Sequence, residues 1–242
     1  MIELYYGPTS NGRKVSIMLA ETKVQYNLHP IDILAGDQFK PDYLKINPNN
    51  KQPAIVDSDG PGGRPITVFE SGAILIYLAR KTGRLLPKDT VREIAALKWP
   101  MWQMAGIGPM FGQWVHFDMY APEKIQYAID RYRREADRLR LVADHHLAEH
   151  EYFADEYSIA DIAAFPWLQS FRTRLPPEVP TPHIDRWIDS IAQRPAVKEG
   201  MALLLSEMRP EARGEKPVSE HTWNVLYGTI QHGDRYKAAR SR

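Results

Sequence analysis

The chain has no cysteine in 242 residues. That absence removes disulfide staples, thiolate zinc sites and any reaction in which the protein supplies its own thiol. Sulfur chemistry here would need a sulfur carried on a ligand. An excess of one charge sign is also missing. Thirty-one Lys and Arg stand against 30 Asp and Glu, a net charge of +1, so no overall field draws the chain to nucleic acid or to an anionic membrane. No apolar run approaches the ~20 residues of a membrane span, and no basic-then-apolar signal pattern opens the chain. The expected location is the cytoplasm. Internal repeats and low-complexity tracts are absent too. What remains, 43% hydrophobic and 25% charged, is an ordinary globular composition, at a length that suits one large domain or two modest ones.

Residues 1 to about 80 alternate strand and helix signals. "IELYY" reads as a strand, and Val15, Met18, Leu19 and Thr22 share one helical face. "QYNLHPID" alternates like a strand, and "PDYLKINP" is a short helix closed by Pro48. "PAIVDSD" and "ITVFE" form a hairpin across Gly-Pro-Gly-Gly, and "SGAILIYLARKTG" is an apolar helix ending at Gly83. The order is β-α-β-α-β-β-α. Residues 81–90 read as a linker, and the pattern beyond is helical to about residue 208. From Glu211 the chain is polar, with an apolar cluster at Trp223, Val225, Leu226, Tyr227 and Ile230 that predicts docking.

Several short motifs carry more than one reading. Thr9, Ser10 and Asn11 in "GPTSNGRKV" stand at a helix mouth, with more hydrogen-bonding side chains than a turn needs. In "NKQPAIV" the residues alone favour an ordinary trans proline opening a strand. The sharper alternative is a cis Gln52–Pro53 bond that presents residue 52's backbone to a peptide-like ligand. In "FESGAILIYL" Ser71 is the expected N-cap. Glu70 with Ser71 at a helix N-terminus also matches an amino-acid zwitterion, the acid for the ammonium and the helix end for the carboxylate. "YSIADIAAF" has the form of a capping box, with Ser158 at the N-cap, Asp161 at N3 and Tyr157 placed to staple onto Ile162. Asp161 is thereby assigned to folding.

"RYRREADRLR" pairs Arg131 with Glu135 and Arg134 with Asp137, a solvated helix face. His145, His146 and His150 include an i, i+4 pair, but no third-ligand pattern accompanies it and no metal is expected. "WPMWQMAGIGPMFGQWVHFDMY" is dense in aromatics and interrupted by Gly106, Gly108, Pro109 and Gly112. Core packing accounts for much of it, and the breaks also predict a bent helix whose aromatic face lines a cleft for an apolar second substrate.

Together these segments resemble a glutathione transferase over about residues 1–208. "PNNKQPAIVD", "FESGAILIYLA" and "YSIADIA" stand in that family's order. "GPTSNG", "AGDQF" and "GIGPMFGQ" narrow the likeness to the Nu class, bacterial enzymes of the disulfide-bond-reductase type that are related to a yeast nitrogen regulator. The resemblance implies an α/β thioredoxin-like N-terminal domain and an all-α C-terminal domain. Their expected boundaries are 1–82, the glutathione-binding domain, and 91–208, followed by an extension at 209–242. It implies glutathione as co-substrate, a homodimer, and a small-molecule electrophile or disulfide as the second substrate. Thr9 and Asn11 would face the glutathione sulfur. Gln38, Lys51 and Gln52, before a cis Pro53, would hold the glycyl and cysteinyl parts. Glu70 and Ser71 would clamp the γ-glutamyl group, and Arg131 would add a helical contact. Ser10 is a weaker candidate.

The implied chemistry needs no titratable partner on the protein. Lowering a thiol pKa from ~8.5 by two units takes only about 2.7 kcal/mol. Neutral donors at a helix mouth reach that sum, since hydrogen bonds to an anion contribute roughly 1.5–3 kcal/mol each. Tyr5 and Tyr6 point to opposite faces of a strand, and neither is assigned as a catalytic tyrosine. Disulfide reduction ranks first, with two glutathiones taking the place of a Cys-x-x-Cys pair. Conjugation or thioether cleavage, and a non-catalytic glutathione-binding regulator, are the alternatives.

Overall fold

A computed structural model describes residues 1–213 and 216–231 of the chain. These form two compact units, residues 1–7, 26–69 and the described part of 204–242, and residues 8–25 with 70–203.

The first unit is built on a four-stranded sheet in the order β2-β1-β3-β4. Its strands are β1 (Ile2–Tyr6), β2 (Tyr26–Pro30), β3 (Ala54–Asp57) and β4 (Ile66–Phe69). β1 pairs parallel with β2, Leu4 opposite Leu28, and antiparallel with β3, Leu4 opposite Ile55. β3 pairs antiparallel with β4 across the turn at residues 58–65. Ile2, Leu4 and Tyr6 are buried, while Glu3 and Tyr5 on the opposite face are only partly covered. That is the period-two pattern of a strand with one face in the core. Tyr5 stacks on His29, ring centroids 4.7 Å apart. A short helix α2 (Pro41–Ile46) opens with proline at its first position, where no amide hydrogen is needed.

The C-terminal extension continues this unit. Arg209 pairs with Asp32 at 2.8 Å. After helix α10 (Pro210–Arg213), helix α11 (Glu220–Leu226) places Val225, 2% exposed, beside Gly36. The expected docking of the apolar tail cluster is therefore seen at Val225. Residues 214–215 and 232–242 of the extension lie outside the described residues.

The second unit contains α1 (Ser10–Thr22), α3 (Ser71–Thr82), α4 (Thr90–Trp102), α5 (Gly108–Val115), α6 (Gln126–Glu149), α7 (Ile159–Arg174), α8 (Pro182–Ala192) and α9 (Pro195–Ala202). Val15, Met18, Leu19 and Thr22 are all buried, as their shared face predicts. α1 and α9 touch backbone to backbone. A Cβ on Gly200 would lie 2.5 Å from the Ile17 nitrogen, so only glycine permits the approach. Ser16 donates to the Gly200 carbonyl at 2.7 Å. At the far end of α1, Glu21 accepts from Arg194 at 2.8 and 3.2 Å, and that guanidinium lies 3.7 Å from the Tyr157 ring centroid.

The aromatic stretch 99–120 departs from a single bent helix. π-Helical turns at 103–107 and 116–120 bracket α5. Trp99, Trp102, Phe153 and His146 pack together, with Trp99 4.4 Å from His146 and 5.0 Å from Phe153 between ring centroids. Phe111 and Trp114 are buried as well. These rings pack as the core reading of the stretch expects. The glycines make room for side chains: a Cβ at Gly106 would press on Leu139 at 3.2 Å, and one at Gly108 would meet Trp167 at 3.6 Å.

Asp161 is the polar centre of this unit. It is fully buried and accepts from the backbone N–H of Phe153 and Ser158 and from the indole N–H of Trp187, at 3.1, 3.0 and 2.9 Å. Ser158 caps α7 in return, accepting from Ala160 at 3.2 Å. Burial pushes the carboxyl up to about 6, against the three donors that hold it down. Each donor left without a partner costs about 1–3 kcal/mol. Asp161→Ala is therefore expected to lower stability by about 3 kcal/mol or more in urea unfolding. A loss under about 1 kcal/mol would refute Asp161 as the organising group.

Candidate active site

Thr9 is the N-cap of α1. Its extended backbone (φ −90°, ψ 166°) turns the hydroxyl back to accept from the Gly12 N–H at 3.2 Å. That is the geometry that suits a threonine ahead of a helix, and as a hydroxyl it also carries a donor proton. No acidic residue stands in the first turn of α1, so its own side chains do not neutralise the positive end of the helix dipole. Ser10 and Asn11 are the first two helical residues. The Asn11 side-chain oxygen accepts from the Trp167 indole N–H at 2.9 Å.

α3 begins differently from the sequence expectation. Glu70, not Ser71, occupies the N-cap position, and Ser71 is the first helical residue. Glu70 is exposed and has φ 70° and ψ 116°. A non-glycine residue held there costs on the order of 1–3 kcal/mol, and such strain gathers at functional sites. Ser71 is 5% exposed, so its hydroxyl faces inward, where the structure brings up a group the sequence reading missed. Lys14 is completely buried. Its ammonium donates to Gln103 Oε1 at 2.5 Å, to Ser71 Oγ at 3.4 Å and to Met104 Sδ at 3.4 Å. Burial pulls it down to about 7, opposed by Glu70 nearby.

Arg131, on α6, is exposed and lies 3.8 Å from Glu135, which is held more closely by Arg138 at 2.7 Å. Asp137 pairs with Arg133 and Arg140, each at 3.1 Å, rather than with Arg134. The spacing allowed either partner, and the buried Arg140 draws the carboxylate along its own face. His146 and His150 stack at 4.1 Å, and their ring nitrogens contact backbone oxygens. No cluster of three or more metal-binding side chains occurs among the described residues.

In the sheet unit the Gln52–Pro53 bond is cis, the alternative that the residues alone did not favour. Gln52 Oε1 accepts from the Gly7 N–H at 3.1 Å, where a Cβ on Gly7 would lie 2.9 Å from the Ile31 carbonyl. The Lys51 side chain is exposed. Its carbonyl accepts from Tyr43 Oη and Asn47 Nδ2, both at 2.5 Å, which sets the path of the chain into Pro53. Gln38 is 2% exposed and donates to the Ile33 carbonyl at 3.1 Å, while its Oε1 is buried without a partner among the described residues. A buried acceptor left open this way suits a ligand N–H.

Lys14 and Trp167 escaped the sequence reading because their types point elsewhere. A lysine in a helix reads as solvated, and "FPWLQSF" reads as core. The one available signal is that Lys14 stands four residues before Met18, on the apolar face of the helix. The buried ammonium has a measurable consequence. In the unfolded chain Lys14 keeps its proton to about 10.5, but in the folded protein only to about 7. Between those values the unfolded state binds more protons, so stability rises with pH. Lys14→Met is expected to remove that rise, on the order of a few kcal/mol, from unfolding free energies measured between pH 7 and 10. An unchanged slope would show that Lys14 keeps a near-ordinary lysine pKa in the folded protein.

Comparison with known proteins places the chain's family and fold. The family model described as "Glutathione S-transferase, N-terminal domain" matches residues 2–80, and the corresponding C-terminal domain model matches residues 101–195. The disulfide-bond oxidoreductase YfcG of Escherichia coli K12 is 45% identical over 87% of this chain and 98% of its own length. A Pseudomonas putida glutathione transferase, solved with one glutathione disulfide bound per subunit, is 42% identical with a TM-score of 0.80, over 84% of this chain and 91% of that one. A Burkholderia graminis glutathione transferase, solved with two glutathione molecules bound per subunit, is 44% identical with a TM-score of 0.79, over 83% and 87%. The thioredoxin-like sheet with its helices and the all-helical remainder make up the transferase fold, and the chain belongs to the glutathione S-transferase family.

Proposed function

We propose that this protein is a glutathione-dependent disulfide reductase of the Nu class. The observation that carries this reading is the mouth of α1, where Thr9 and Asn11 stand at a helix N-terminus with no acidic residue in its first turn, in a chain with no cysteine. The relatives support it, one named a disulfide-bond oxidoreductase and others solved with glutathione or its disulfide. Glutathione supplies the thiol. Two molecules are oxidised to one glutathione disulfide while one substrate disulfide is reduced to two thiols, so electrons and protons balance without an outside reductant.

The chain's residues then divide the work. Thr9 and Asn11 donate to the sulfur and favour its anion, the form that attacks. Glu70 takes the γ-glutamyl ammonium, and Ser71 with the start of α3 takes its carboxylate. Gln38, Lys51 and the backbone of Gln52 ahead of Pro53 are assigned to the glycyl and cysteinyl parts, and Arg131 to a further contact. We also assign domain boundaries of 1–82 and 91–208 with an extension at 209–242, a homodimeric state and a cytoplasmic location. No helix among the described residues is long and apolar enough to cross a membrane.

Two units of thiol pKa correspond to about 2.7 kcal/mol, or roughly a hundredfold in thiolate population where ionisation is incomplete. Thr9→Ala combined with Asn11→Ala is expected to cut turnover of hydroxyethyl disulfide at neutral pH by about ten- to a hundredfold. Glutathione affinity, measured by calorimetry, should change by less than about threefold. Undiminished turnover in the double variant would sink the assignment of these residues. A parent protein that binds glutathione but reduces no disulfide would favour a binding module instead.

A further inference from the structure

We propose that Trp167 is a positioning residue that fixes which way the Asn11 amide faces. The inference rests on the functional reading above and names a residue that reading does not use. An asparagine carboxamide presents an acceptor on one side and two donors on the other, and the two ends are easily exchanged by a half-turn. An indole N–H can only donate. Its bond to Asn11, at 2.9 Å, therefore admits one orientation, with Oδ1 toward Trp167 and Nδ2 directed away. Nδ2 has no hydrogen-bond partner among the described residues, so both its hydrogens remain for a ligand. The reversed amide would set donor against donor at Trp167 and turn a carbonyl oxygen toward a sulfur anion. Trp167 thus converts an ambivalent side chain into a committed donor.

The surrounding structure holds the indole in place. Trp167 stacks on Phe171 with ring centroids 5.8 Å apart and planes inclined by 20°. A Cβ added at Gly108 would lie 3.6 Å from the indole, and one at Gly112 3.9 Å from it. These are ordinary contact distances, so the two glycines give the ring a smooth bed without clash at the Cβ itself. Longer side chains there would compete for the same space. Preorganised donors are worth more than donors that must first reorient, because the cost of ordering is met at folding.

The test is Trp167→Phe in the full chain, which deletes the N–H and keeps a ring on Phe171. The readout is the pKa of bound glutathione, followed by ultraviolet thiolate absorbance against pH, beside its dissociation constant. One neutral hydrogen bond is worth about 1 kcal/mol, so the thiolate-to-thiol ratio should fall about three- to tenfold with affinity nearly unchanged. Adding Trp167→Phe to Asn11→Ala should cause no further loss, since Trp167 acts through Asn11. A parent that ionises glutathione and a Trp167→Phe variant that ionises it equally well would overturn this inference alone. A parent that fails to ionise it overturns the functional reading as well. Should Trp167→Phe not fold, nuclear magnetic resonance on the parent decides: the Asn11 side-chain NH₂ signals should move as the bound thiol titrates, and stationary signals would overturn the proposal.

Discussion

The backbone contact between α1 and α9 at Gly200 is the constraint on which the rest of the helical unit depends. With no side chain at residue 200, α1 lies against α9 closely enough for Ser16 to reach the Gly200 carbonyl. The Glu21–Arg194 pair and the Tyr157 ring then hold the C-terminal end of the same helix. Any larger residue at 200 would push α1 outward along its length. The first turn, which carries Thr9 and Asn11, would move with it. A helix pinned along its middle and at its C-terminal end holds its first turn in a fixed place, and a fixed N-terminus is where donors and dipole can meet a ligand.

The polar groups behind this mouth do different work from those at it. Lys14 spends its charge on Gln103, Ser71 and Met104 in the interior, which secures the start of α3 to α1 and to the π turn at 103–107. It is the only lysine among the fully buried side chains of the described residues. Gln103 is thereby placed with its oxygen used and its amide nitrogen buried without a partner among the described residues. Holding a cation in the interior is unfavourable by desolvation, and three polar neighbours only partly offset it. Asp161 shows the opposite balance, since three well-aligned donors meet a single carboxylate. The sequence pattern of a capping box was enough to identify the Ser158–Asp161 pair of the second network, because those residues are close in the chain, but not the Trp187 donor 26 positions away. The first joins residues separated by 57 and 89 positions and leaves no local trace.

That contrast explains what could be read from the residues. Strand alternation in "IELYY", the buried face Val15–Met18–Leu19–Thr22 and the αL glycine at residue 83 are local devices, and each appears where periodicity and turn chemistry put it. A serine ahead of an apolar helix is normally its cap, which is the role the residues assign to Ser71. The chain instead holds Glu70 in a strained conformation at that position, a cost no propensity scale anticipates. The cis bond at Pro53 was a minority alternative for the residues alone, and the family likeness favoured it for reasons that spacing does not contain. The glycines at 106, 108 and 112 were legible as irregularities but not as accommodation for Leu139 and Trp167, which lie far along the sequence.

The extension beyond residue 204 adds support of a kind that the family-model matches, ending at residue 195, do not cover. The described residues of the extension touch the segment that carries Gln38 through an ion pair and an apolar contact. The Arg209–Asp32 pair is half exposed at the guanidinium, so it contributes no more than about 1 kcal/mol. Burial of Val225 beside Gly36 is worth roughly 1.5–3 kcal/mol and is the stronger tie. Asp32 is itself bonded into the loop, accepting from the Leu34 N–H at 2.9 Å while Asp37 accepts from the Asp32 N–H at 2.9 Å. Arg209 therefore braces a carboxylate that already organises residues 32–37, the turn that leads directly into Gln38. The apolar contact sets the strength of the docking and the ion pair sets its register, so the extension steadies the loop whose buried glutamine keeps an open acceptor.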